Sequence, residues 1–315
     1  MPELAAGTNR SLVALCLAVV WVLWGSVYLA IHVVIDEVAP FQAMAQRFLL
    51  AGLILSVIVV ARRGPRAMRV TRSQGVSLVI TGVLLLGLGN GLQALAQVKG
   101  LPSGVAALIA ASVPAWAVLL RILAGERPAW LTVAGVGIGF AGLVMLVLLG
   151  RGLGETMPVA GVLLCVGSSL SWTVGSYLQG TVDLPGDILV VAACQQIVAF
   201  LCSAVLAGAS GERVSLAYSA RGWAALAFLV VACSIVAFLA FAWLLTHVPL
   251  SLTATHAYVN PVVALLLGWA ILAEPVGLAV LVGGGLVLSS VALVVTAERA
   301  PRPGVEQVAT QGEAS

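Results

Sequence analysis

The stretch that decides the reading is Val248-Pro249-Leu250-Ser251-Leu252-Thr253-Ala254-Thr255-His256-Ala257-Tyr258-Val259-Asn260-Pro261, which runs on through Trp269 to Ala273-Glu274-Pro275. Its surroundings are apolar, yet it carries Ser, Thr, His, Tyr and Asn within half a helix. It also has an echo. Pro249, Pro261 and Pro275 lie 147 residues after Pro102, Pro114 and Pro128. Three matched prolines in matched apolar surroundings predict one unit written twice.

Outward from that stretch, the composition sets the solvent. The 315 residues are 61% hydrophobic and 9% charged, too little charge to cover a water-soluble domain. A bilayer span needs roughly 20 apolar residues. Ten such runs are predicted, at about 12–32, 41–61, 74–96, 102–123, 128–149, 157–178, 187–207, 222–246, 250–272 and 276–297. The expected fold is therefore an all-α integral membrane protein of ten transmembrane helices in two inverted five-helix repeats. The domains are residues 1–11 as an N-terminus, 12–149 as the first repeat, 150–156 as a connection, 157–297 as the second repeat and 298–315 as a disordered tail. An odd number of helices per unit makes the second copy enter the membrane from the opposite side. Inverted repeats with a site between them characterise transporters.

Lysines and arginines in the loops set orientation. Arg10, the run Arg62 to Arg72, Arg121 and Arg127 gather on one side of the first half, against Lys99 on the other. Both termini are expected in the cytoplasm and the chain in the cell inner membrane, with the lipid bilayer and a small-molecule substrate as partners. No nucleic acid is expected, and the chain is read as a monomer or homodimer. The cysteines Cys16, Cys165, Cys194, Cys202 and Cys233 lie inside apolar runs without C-x-x-C spacing, so no metal site, cofactor or disulfide framework is read.

Several motifs, in order, carry a resemblance. Trp24-Gly25-Ser26 with Tyr28, Gln46-Arg47-Phe48 with Ala51-Gly52, Gly89-Asn90-Gly91, Pro102-Ser103-Gly104 to Pro114, and Asn260-Pro261 to Glu274-Pro275 resemble the EamA family of the drug/metabolite transporter superfamily. The resemblance implies ten helices, cytoplasmic termini and export of amino acids or related small metabolites.

Polar residues in lipid face a cavity or a neighbour. Helical spacing puts Trp21, Trp24, Tyr28 and His32 on one stripe, Asn90, Gln93 and Gln97 on another, and Thr253, His256 and Asn260 on a third. Trp172 lines up with Ser168 and Ser176, with Tyr177 on an adjoining face. The substrate pathway is accordingly assigned to Trp24, Tyr28, Asn90, Gln93, Trp116, Trp172, Tyr177, His256, Tyr258 and Asn260. Aromatic faces would take an apolar body or a cation, and the amides and imidazole would orient polar ends. Pro114 and Pro261 each remove a backbone N–H and free the carbonyl four residues earlier, so kinks are expected there. Arg47, the one permanent charge well inside a span, has three readings, a side chain that snorkels outward, a site for a substrate carboxylate and a structural pairing with Glu274 on the same side, and the pairing is the one expected. The glycines Gly135, Gly139, Gly142 and Gly283-Gly284-Gly285 are read as packing surfaces.

Two other readings are weighed. An enzyme would need a nucleophile beside a base at one depth. Gly208-Ala209-Ser210-Gly211 has the look of a rhomboid serine motif, but Ser210 falls in a loop beside Glu212-Arg213. Efflux of drugs or quaternary amines by the same fold is the other. No Asp or Glu falls at the centre of a predicted span, which disfavours a carboxylate proton relay.

Overall fold

A computed structural model describes residues 10–123, 125, 128–152, 158–247 and 256–299. Among these the chain forms ten apolar helices and no strand. They are α1 (Arg10–Gly25, continued by Val27–Ile35), α2 (Pro40–Arg63), α3 (Arg72–Gly82, Val83–Leu88, Gly89–Val98) and α4 (Ser103–Ala110, Val113–Leu123). Then come α5 (Trp130–Gly152), α6 (Val159–Gln179), α7 (Ile188–Ala209), α8 (Ala220–Ala227, Phe228–Val236, Ala237–His247), α9 (His256–Leu272) and α10 (Leu278–Arg299). Seven continuous runs have the length and hydropathy of a span outright, and Trp130–Met145, Val259–Leu272 and Leu278–Val294 are shorter apolar helices. Large apolar side chains such as Leu15, Val57, Leu163 and Val205 point outward, as lipid contact requires. Helix α5 runs three residues into the expected 150–156 connection, and α10 reaches Arg299, two residues into the expected tail.

The packing obeys the inverted repeat. Helix α2 packs along its counterpart α7, and α5 along its counterpart α10. Helix α1 lies against α8 and α9, while its counterpart α6 lies against α3 and α4. Close approach of the paired helices depends on small residues. A Cβ on Gly142 would sit 2.9 Å from the Gly283 carbonyl, and one on Gly135 2.8 Å from Val294, so these glycines pack α5 on α10 as expected from the sequence.

The helix ends sort into two faces. On one, Glu212 accepts from the backbone N–H of Phe41 and Gln42 (3.4 and 2.9 Å). Glu37 accepts from the N–H and Oγ of Ser219, both 2.6 Å. Glu274 accepts from Ser103 N, Ser103 Oγ and Gly104 N at 2.7, 3.0 and 3.1 Å. Each carboxylate belongs to one repeat and caps the N-terminus of a helix in the other, where the unsatisfied amides and the helix dipole favour a negative charge. These bonds and the burden of Arg221 nearby hold the Glu37 carboxyl below its usual range, the Ser219 hydroxyl being the main cause. Burial, and then the Glu37 charge, pushes the Tyr218 phenol up to about 12, so its O–H stays a donor, 2.6 Å from Gln46 Oε1. On the opposite face Arg63 pairs with Asp187 and Gln74 approaches Asp183.

The kink at Pro114 is a break. Helix α4 stops at Ala110 and restarts at Val113, and the Ser112 hydroxyl ties the two pieces by donating to the Ile109 carbonyl and accepting from Trp116 Nε1 at 2.9 Å. Pro261 stays inside a continuous α9. A second break, at Ser26 in α1, carries no proline. The Ser26 hydroxyl donates to Val22 O at 2.6 Å, a local bond that competes with the helix ladder.

Candidate functional site

Three of the expected pathway residues meet where α1, α8 and α9 adjoin. The indole of Trp24 lies 5.5 Å from the His256 ring and 4.9 Å from Phe241, and Phe241 lies 5.6 Å from His256. Edge-on arrangements at these separations are the favoured ones for aromatic pairs. Asn260 sits one turn beyond His256. With its nitrogen turned to the carbonyls around it, it donates to Trp21 O at 3.2 Å and His256 O at 3.1 Å. Gly25 makes this junction possible, since a Cβ there would lie 2.6 Å from Val263. Phe241 carried no signal in the sequence, being one apolar residue among many in α8.

The junction hangs on an irregular turn. From Phe228 to Val236 α8 is wound as a π-helix. There the N–H of Ala237 reaches back to Ala232 O, five residues away, passing over the carbonyl of Cys233. That carbonyl accepts the Trp24 indole N–H at 3.2 Å. The next residue, Ser234, accepts from Arg47 Nε at its hydroxyl (3.1 Å) and from Gln196 Nε2 at its carbonyl (3.4 Å). A π-turn widens the helix and leaves acceptors for neighbours, and such turns gather at functional sites. Its counterpart helix α3 has a π segment too, Val83–Leu88. Shifted by 147, that segment falls inside Phe228–Val236. There Ser171 of α6 donates to Leu84 O at 2.8 Å and Ser168 to Gly89 O.

Arg47 corrects the expectation. It does not meet Glu274, which is consumed by the start of α4. Residue 47 faces inward from α2 toward α3 and α8. There its Nη1 donates to Asn90 Oδ1 at 3.2 Å and its Nε to Ser234. The Phe48 ring lies 5.2 Å from its guanidinium carbon. Arg47 is 5% exposed, and roughly 10 Å along α2 from its start. A cation at the centre of a membrane helix costs about 2.5–3.5 kcal/mol even on lenient scales, so the two neutral acceptors are a minimal accommodation.

The other expected residues are distributed as follows. Asn90 joins the arginine. Gln93 is buried one turn away, its Nε2 without an acceptor. Gln97 and His32 Nδ1 are likewise buried and unpartnered. Tyr28 packs on the apolar cluster of α4, α6 and α10. Trp172 stacks over Gly89 of α3. Trp116 turns toward α5, 4.5 Å from the Phe140 ring, because its N–H is held by Ser112. Tyr177 is 47% exposed, and five residues past Trp172 it lies on another side of α6. Neither is brought to the α1–α8–α9 junction. The side chain of Tyr258 and all of Val248–Thr255, Thr253 included, lie outside the described residues. Ser210 is an exposed residue at the end of α7, its N–H bonded to Leu206 O. Among the described residues no group of His, Cys, Asp and Glu has metal-site spacing.

Comparison with known proteins agrees with this architecture. The EamA-like transporter family matches twice, over residues 11–148 and 159–296. The uncharacterized inner membrane transporter YedA of Escherichia coli (strain K12) is 32% identical over 248 residues, 79% of each chain. The uncharacterized transporter YvbV of Bacillus subtilis (strain 168) is 28% identical over 311 residues, 95% of this chain and 97% of that one. A solved crystal structure, 23% identical, superposes with a TM-score of 0.61 over 93% of this chain and 100% of its own, a likeness of fold. With both family matches falling on the two five-helix halves, the chain belongs to the EamA-like transporter family.

Proposed function

We propose that this transporter exports small amphipathic metabolites, amino acids or their relatives, across the inner membrane by alternating access of its two repeats. Both termini then face the cytoplasm, and the face carrying Glu37, Glu212 and Glu274 is external. The observation that carries the reading is the meeting, on the α8 π-turn, of an aromatic group (Trp24, Phe241, His256) with a polar one (Arg47, Asn90, Gln196). Such a pair suits a molecule with an apolar body and a polar head. Transport along the substrate's own gradient fits the lack of a carboxylate within the described spans.

Counterflow in proteoliposomes tests it. Folded protein loaded with a panel of amino acids and amines should exchange at least one amino acid, and folded protein that exchanges none refutes the metabolite reading. Efflux of quaternary amines draws on the same aromatic faces, which attract cations. Exchange of amines alone would favour it.

A further inference from the structure

We propose that Arg47 is the receptor for a carboxylate on the transported molecule. The inference rests on the transport reading above and narrows its substrates to those bearing a carboxylate.

An enclosed guanidinium in a membrane helix needs a counter-charge. Arg47 has none: the ion pair found among the described residues is Arg63 with Asp187. Its two acceptors are neutral, the Asn90 amide and the Ser234 hydroxyl. A guanidinium offers five N–H groups in a flat fork, so the bonds to Asn90 and Ser234 leave three over. The donors left are the two N–H groups of Nη2 and one of Nη1, enough to hold a carboxylate.

The repeat shows that packing does not require the charge. The dipeptide Gln195-Gln196 of α7 echoes Gln46-Arg47 of α2, and α2 packs along α7. Gln196 bonds the same residue, Ser234, with a neutral amide. A cross-link to α8 at this level is therefore met by glutamine, and the positive charge is surplus to it. Unpaired polar atoms accompany it on the helices packed against α2. Gln196 Oε1 and Gln93 Nε2 are both buried without partners, an acceptor and a donor left over beside a cation. The carbonyl of Cys233 and the hydroxyl of Ser234 are on consecutive residues. They place the Trp24 group next to the arginine group along the chain, so an apolar body and a carboxylate head are served together.

The test is competition in counterflow by the full chain in proteoliposomes. Phenylalanine, phenylalaninamide and phenethylamine, and the corresponding leucine set, compete with the labelled amino acid. Wild type should favour the acid over the amide and the amine by about tenfold or more, the worth of one bond to a charged group. Arg47→Gln should level the three, and Arg47→Lys should keep part of the preference. Asn90→Asp keeps the cation but gives it an internal carboxylate, and should also level them, which covers an Arg47→Gln chain that fails to fold. Equal competition in wild type, or an undiminished preference in Asn90→Asp or folded Arg47→Gln, overturns the proposal while leaving transport standing. Absence of flux refutes transport instead. Thermal protection of the purified protein by the acid and not the amide then still supports the carboxylate site, and equal protection overturns it.

Discussion

Glu274→Ala should weaken the contact between the repeats measurably. Among the described residues Glu274 accepts from the N–H of Ser103 and of Gly104 at the start of α4, and takes the Ser103 hydroxyl as well. Ser103 is fully buried, so water does not replace what is removed. Each buried donor left unsatisfied costs about 1–3 kcal/mol, though a helix cap removed by alanine typically costs ~1 kcal/mol in total. The cap figure is the lower bound and two orphaned donors the upper one, which brackets the loss at about 1–6 kcal/mol. Thermal unfolding of the detergent-purified protein, followed by tryptophan fluorescence or by monodispersity after heating, should show a drop of several degrees. Glu274→Gln retains an acceptor and should fall between. Gly268→Ala should resemble Glu274→Ala, because its new Cβ would collide with the Glu274 carboxylate. The charge swap of Arg47 and Glu274 should rescue nothing, since the two residues have separate partners. A Glu274→Ala protein as heat-stable as wild type refutes the cap, and a swap better than both single variants restores the ion pair.

Trp24→Phe keeps an aromatic ring beside Phe241 and His256 but orphans the Cys233 carbonyl, so stability should fall by about 1–3 kcal/mol; an unchanged melting curve would place the π-turn under other control. Gly25→Ala forces a Cβ to 2.6 Å from Val263, and overpacking of this kind costs about 1–3 kcal/mol, read as lower thermal stability than Ala-substituted Gly137, where a Cβ meets open space. Acid should loosen the Glu37 cap. Its carboxyl is held below the ordinary 4.5, so its contribution is complete above that value and lost as pH falls through the depressed one. Glu37→Gln should remove this part of the acid sensitivity, and identical acid melting profiles for the two proteins would count against it.

The spans and the doubling were legible because both rest on local features. Apolar length gives a helix in lipid, and prolines mark the same places in both copies. Trp24, His256 and Asn260 could be grouped because each lies on the inner stripe of its own helix. Arg47 could not be placed the same way. Its nearest charge along the topology was Glu274, but helix α9 ends in a turn with Ala273 at φ 54° that delivers Glu274 to α4. Only the packing of α2 against α3 and α8 reveals that Asn90 and Ser234 take the guanidinium. The π segments left no trace either. Val83–Leu88 and Phe228–Val236 are ordinary apolar sequence, and what distinguishes them is a side chain from a neighbouring helix bonded to one of their carbonyls.

Those two segments have a mechanical consequence. A helix wound with five-residue hydrogen bonds over one stretch holds one residue of slack. Passing that slack up or down the helix exchanges one set of hydrogen bonds for another without melting it. Every side chain between the old and new positions then turns by about 100°. Helices α3 and α8 each hold such slack at equivalent places in the two repeats. Ser171 and Trp24 bond carbonyls of these segments, so any such shift would first have to break those bonds.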